Sequence, residues 1–150
     1  MKKFQFSLGT VLMYKEQVLD ALRGEHAAIL ASVRNQEELV DRMWDDFRSY
    51  NQEYKSRQRD GLSIAEAIIY QNGLHAMERD INRETKTLEE YRAQEASKRE
   101  EVVEAKIETS SIEKLKEKKL NLYRKAVQKS EEAFIDEFVS AARVGRLAEG

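Results

Sequence analysis

RQRDGLSIAE, residues 57–66, decides how this chain of 150 residues folds. Gly61 suits the left-handed backbone conformation that ends a helix. Ser63 follows, with Glu66 three residues later, the spacing of a capping box that opens a new helix. The stretch therefore predicts a tight turn over residues 60–63. Short connections place helices side by side and antiparallel. The chain has no proline, so nothing else of comparable strength interrupts it.

Working back from the turn, apolar side chains recur at alternating steps of three and four. One row is Leu12, Leu19, His26, Val33, Val40, Phe47 and Tyr54. The other is Lys15, Leu22, Ile29, Gln36, Met43 and Tyr50; only Lys15, His26 and Gln36 are polar. Working forward, Leu74, Ile81, Leu88, Glu95, Val102 and Thr109 form one row, and Met77, Glu84, Tyr91, Lys98, Ala105 and Ile112 the other. A heptad seam sustained this long predicts a coiled coil. The expected fold is all-α: a single antiparallel coiled-coil hairpin spanning residues 1–150. Helix one covers about 8–59, and a longer helix two covers about 64–146. The polar exceptions between Glu84 and Thr109 mark that stretch as the looser part.

After Ile112 the apolar spacing changes. Leu115, Lys119, Leu122, Ala126, Lys129 and Ala133 follow a new register, as a three-residue insertion in one continuous, locally overwound helix would give. The alternative is a break at Ser110, with Glu113 three residues on, and a third helix. Beyond Ile112 the helix is expected to project past the hairpin without an intrachain partner, and Val144–Gly150 to fray. Phe4, Phe6 and Leu8 lie in an extended lead-in, most simply packed at the hairpin's open end; Thr10 is a candidate cap.

Composition narrows the function. Charged residues make up 36% of the chain, yet the net charge is only −2, so the whole chain offers no case for nucleic acid or a membrane surface. There is no cysteine, hence no disulfide or thiolate site, and the two histidines lack a partner at ligand spacing. No apolar run approaches the roughly 20 residues of a membrane span, and the N-terminus lacks a signal-peptide core. No glycine-rich loop, nucleophile triad or paired-carboxylate pattern is present. The expectation is a cytoplasmic binding protein with no enzymatic activity, no metal and no cofactor.

Two clusters stand out. Trp44, Phe47, Tyr50, Tyr54 and Tyr70 gather near the turn. They read either as seam residues closing the coiled coil or, because a two-helix seam is narrow, in part as an interface patch. Between Ile112 and Lys125, six cations (Lys114, Lys116, Lys118, Lys119, Arg124 and Lys125) outnumber Glu113 and Glu117. This is either a solvated face or a contact for an acidic protein surface. Nucleic acid fits less well, because Glu131, Glu132, Asp136 and Glu137 follow.

Phe4-x-Phe6-x-Leu8-x-x-Val11-Leu12, the segment Tyr50-Asn51-Gln52-Glu53-Tyr54, the pair Tyr70-Gln71, the run Glu113-Lys114-Leu115-Lys116-Glu117-Lys118-Lys119 and Asp136-Glu137-Phe138 occur in this order. Together they resemble the FliJ family of flagellar type III export proteins over nearly the whole chain. The resemblance implies a two-helix antiparallel coiled coil similar to the central stalk of rotary ATP synthases. It implies binding to the hexameric flagellar export ATPase, whose assembly it promotes. It also implies contact with the cytoplasmic domain of the export gate protein FlhA and with export chaperones, at the flagellar base on the inner face of the cell membrane. Tyr50, Tyr54 and Tyr70 carry over as gate-binding positions; Phe47, Leu74 and Met77 join them by helical proximity. Phe4, Phe6, Lys114, Lys116, Lys118 and Lys119 at the open end are the expected ATPase contacts. Gly73 is small where a larger contact is expected. The competing reading is a structural homodimeric scaffold or a related secretion stalk.

Overall fold

The computed structural model describes residues 2–149; Met1 and Gly150, the extremes of the expected lead-in and fraying tail, lie outside it. Among the described residues there are two elements, both α-helices: α1 (Gly9–Asp60) and the longer α2 (Ile64–Glu149), packed against each other. They are joined at Gly61, whose φ of 104° is the left-handed conformation that closes a helix. Ser63 Oγ accepts from the Glu66 backbone N–H at 3.2 Å, capping α2. The Glu66 carboxylate engages Arg57 across the turn at 3.4 Å, so the corner is stapled from both helices.

The chain resolves into two compact units, Asp20–Val103 and Met1–Leu19 with Glu104–Gly150. In Asp20–Val103, successive cross-helix contacts pair Tyr50 with Tyr70, Gln36 with Glu84 and His26 with Glu95. Descending α1 thus ascends α2, and the helices are antiparallel. Every seam position read from the heptads, on both helices, is buried or half-buried. The centre is Ile81, 1% exposed, with Val33, Val40 and Leu88 clustered beside Tyr91. Burying side chains of this size stabilises by about 1.5–3 kcal/mol each.

The polar seam positions of the stretch expected to be looser find hydrogen-bond partners. Gln36 Nε2 donates to both the Glu84 carbonyl (2.9 Å) and its carboxylate (2.7 Å). Glu25 meets Lys98 at 2.9 Å and Glu37 meets Arg92 at 3.1 Å. In the other unit, Lys15 meets Glu108 at 2.7 Å, and Thr109, 3% exposed, donates its hydroxyl to the Ala105 carbonyl at 2.8 Å. A seam polar group with a partner forfeits little, whereas an unpaired one costs about 1–3 kcal/mol.

In the unit that holds the chain ends, the structure departs from the sequence reading at several points. As expected, α2 runs on past Ile112 without a break, and the alternative, a third helix opened by Ser110 and Glu113, does not occur. The neighbouring Thr109 and Ser111 donate their hydroxyls to carbonyls one turn back, as side chains inside a continuing helix do. The phase change is of the opposite kind. Leu115, Lys119, Leu122 and Ala126 are exposed, while Ile112, Leu120, Tyr123 and Val127 are half-buried. From Ile112 the half-buried positions jump eight residues to Leu120, the length of two steps of four, which unwinds a coiled coil locally where a three-residue insertion would overwind it. Nor is everything past Ile112 without a partner. The lead-in reaches Tyr123: Phe4 packs on its ring with centroids 5.6 Å apart, and its hydroxyl donates to the Lys2 carbonyl at 2.6 Å. Helix α1 starts at Gly9, with a Phe6 carbonyl to Gly9 N–H turn leading in, so Thr10 is inside the helix and not its cap. The tail expected to fray from Val144 is helical to Glu149, with the good helix formers Arg146, Leu147, Ala148 and Glu149 in its last turn.

Candidate functional site

The tyrosines beside the turn form one assembly in Asp20–Val103. Tyr70, the seventh residue of α2, lies between two α1 rings. It stacks on Tyr54 with centroids 5.2 Å apart and tilts against Tyr50 at 5.1 Å. Its hydroxyl donates to Glu53 Oε1 at 3.1 Å, and Tyr54 OH accepts from Gln71 Nε2 at 3.3 Å. Loss of water raises the Tyr70 phenol above its usual range, with the Glu53 carboxylate adding to the effect. Aromatic pairs at these separations add about 0.5–1.5 kcal/mol beyond the area they bury.

Gly73 explains how Tyr50 fits. A β-carbon at position 73 would lie 2.7 Å from Tyr50 Oη and 2.8 Å from its Cε1. The ring therefore occupies the space a side chain would take, and the small residue is filled from the opposite helix. Sequence reading found Gly73 but not its occupant, because the pairing depends on the register between helices.

Phe47, Leu74 and Met77 are half-buried with the tyrosines. Trp44 packs edge-on against Phe47, centroids 5.6 Å apart, and remains 39% exposed. The turn-proximal aromatics are thus mostly engaged with one another, and the outward apolar surface there comes from Trp44 and from Ile64, Ile68 and Ile69 of α2. The three isoleucines were absent from the sequence-derived site. They sit off the heptad rows, and it is their exposure that marks them.

In the chain-end unit, Phe4 and Phe6 are half-buried, and Lys114, Lys116, Lys118 and Lys119 are all exposed. Lys114, Lys118 and Lys125 line a shallow groove with Glu117, Asn121 and Leu122. The structure brings Phe4 to Tyr123, a residue outside the sequence-derived site. Further along the polar seam, Glu95 accepts from Arg99 and approaches His26 Nε2 at 3.0 Å; the Arg99 bonds first, and His26 second, hold its carboxyl below the usual range. Glu101, then Glu25, raises Lys98. Among the described residues there is no cluster of three or more His, Cys, Asp or Glu placed to hold a metal ion. Among them, too, no helix is long and apolar enough to cross a membrane.

The model of the family described as FliJ, flagellar FliJ protein, matches residues 4–146. No curated protein and no solved structure matches the chain. With the match running through the lead-in, both helices and most of the tail, the chain belongs to the FliJ family, a component of the flagellar export apparatus.

Proposed function

We propose that this chain is a non-catalytic stalk and coupling component of the flagellar type III export apparatus. It binds the export ATPase ring and promotes its assembly, and it contacts the export gate protein FlhA and export chaperones. The observation that carries the reading is the family match over residues 4–146, which includes both surfaces. The ATPase supplies the hydrolysis; this chain contributes differential binding to subunits in different states. The gate docks near the turn, on Tyr50, Tyr54 and Tyr70 with Phe47, Leu74 and Met77. The ATPase meets Phe4, Phe6 and the lysines Lys114, Lys116, Lys118 and Lys119. The protein works in the cytoplasm at the flagellar base, reaching the membrane through its partners.

The test is separation of the two activities. Tyr50→Ala with Tyr54→Ala weakens FlhA pull-down by about 2 kcal/mol or more, the scale of interface anchors, and leaves ATPase stimulation nearly intact. Lys118→Glu with Lys119→Glu does the reverse. If either double mutant loses both activities while remaining helical by circular dichroism, the two surfaces are not separate and the proposal fails.

A further inference from the structure

From Gln128 to Glu149 every residue of α2 is exposed. The stretch is nevertheless amphipathic. Phe134 and Phe138 are each 68% exposed, and Ile135 and Val139 lie beside them on the same side of the helix. Water-facing aromatics in such a stripe need a cover.

Heptad spacing sorts this stretch into a seam of Ile135, Phe138, Ala142 and Gly145, flanked on one side by Glu132, Val139 and Arg146 and on the other by Phe134, Ala141 and Ala148. The large seam residues come first and the small ones last. The flank is likewise acidic at Glu132 and basic at Arg146. A second copy running antiparallel matches all of this at once. Phe138 meets the other copy's Ala142, Ile135 meets its Gly145, and Glu132 faces its Arg146. Ala141 falls opposite the other copy's Ala141, at the two-fold axis. A parallel, in-register pair would instead set Phe138 against Phe138 and Gly145 against Gly145, overfilling one layer and emptying another. The length also fits. Centred on Ser140, the pairing runs from Glu131 to Glu149 and stops short of Val127, the last half-buried residue before the exposed tail.

We propose that the exposed end of α2 is a self-association site, at which two copies of this chain pair their tails antiparallel through Ile135, Phe138, Ala142 and Gly145. Each copy keeps its own α1–α2 packing, so the product is a dimer of two-helix hairpins. The pairing stands independently of the export reading.

Sedimentation velocity of the full chain from low to high micromolar concentration tests it. The mass rises from 17.5 kDa toward twice that value. Phe138→Asp holds the chain at the monomer mass with helicity retained. Glu132→Arg weakens the dimer by about tenfold or more, through like charges at two symmetric contacts, and adding Arg146→Glu restores it. The chain has no cysteine, so an introduced one reports cleanly. Ala141→Cys forms an intermolecular disulfide on mild oxidation, and Ala133→Cys, on the outer face, does not. A chain that sediments as a monomer throughout leaves the tail to another protein and overturns the proposal. So does a dimer indifferent to Phe138→Asp, a double charge variant no better than the single one, or equal crosslinking at 133 and 141.

Discussion

Gly73→Ala puts two opposed effects on one atom. Alanine is the better helix former, and at an interior position of α2 the exchange alone stabilises by about 1 kcal/mol. The new β-carbon, however, arrives 2.7 Å from Tyr50 Oη and 2.8 Å from Cε1, inside van der Waals contact. Tyr50 has little freedom to give way, because its ring is held against Tyr70, which is itself stacked on Tyr54. Overpacking of this kind costs about 1–3 kcal/mol. The net change is therefore between roughly neutral and about 2 kcal/mol destabilising in the wild-type background. In a Tyr50→Ala background the obstacle is gone and only the propensity gain is left. Urea unfolding followed by circular dichroism on the four members of this cycle should give a coupling energy of about 1–3 kcal/mol, well above additivity error. If Gly73→Ala stabilises both backgrounds equally, Tyr50 does not occupy the glycine's space, and the account of the tyrosine assembly is wrong.

Val40→Asp places an unpaired carboxylate in the cluster with Val33 and Leu88 and should destabilise by several kcal/mol, on the order of 3–5; an unchanged melting temperature would contradict the register. Glu95 ionises more readily in the fold than its ordinary value of 4.5, so its contribution is complete above that pH and disappears as pH falls through the lower folded value. The melting temperatures of wild type and Glu95→Gln should therefore differ at neutral pH and converge as the pH falls below the ordinary carboxylate value; a gap that stays constant would show that the Arg99 and His26 contacts do not stabilise the folded state.

The hairpin was legible because its signals are local. Gly61 and the Ser63–Glu66 spacing lie within six residues of one another, and the seam repeats its evidence at every heptad from Leu12 to Tyr54 and from Leu74 to Ile112. What failed depends on partners far apart in sequence. Past Ile112 the chain is dominated by lysine and glutamate, so Leu115 and Leu122 offered a register as plausible as that of Leu120, Tyr123 and Val127. The choice is made by the lead-in, where Phe4 and the Lys2 carbonyl both take Tyr123. Polar seam residues looked like weaknesses for the same reason: Gln36 and Glu84 are each a defect alone and a bonded pair together. The tyrosines near the turn were found by residue type and clustering, but their stacking on Tyr70 over Gly73 needed the register.

The polar pairs across the seam also govern whether the helices can slip. An apolar heptad seam by itself tolerates a shift of one helix along the other by seven residues, since leucine then meets leucine again. Here such a shift would carry Met77 or Tyr91 opposite Gln36, and Leu88 or Val102 opposite His26. Glutamine and histidine would be pressed against hydrocarbon, each forfeiting about 1–3 kcal/mol. The intervening positions offer no relief, because they would rotate the apolar rows into water. Axial load on one helix must therefore be borne by its neighbour without creep, as in a keyed shaft, up to the force at which the keys shear together.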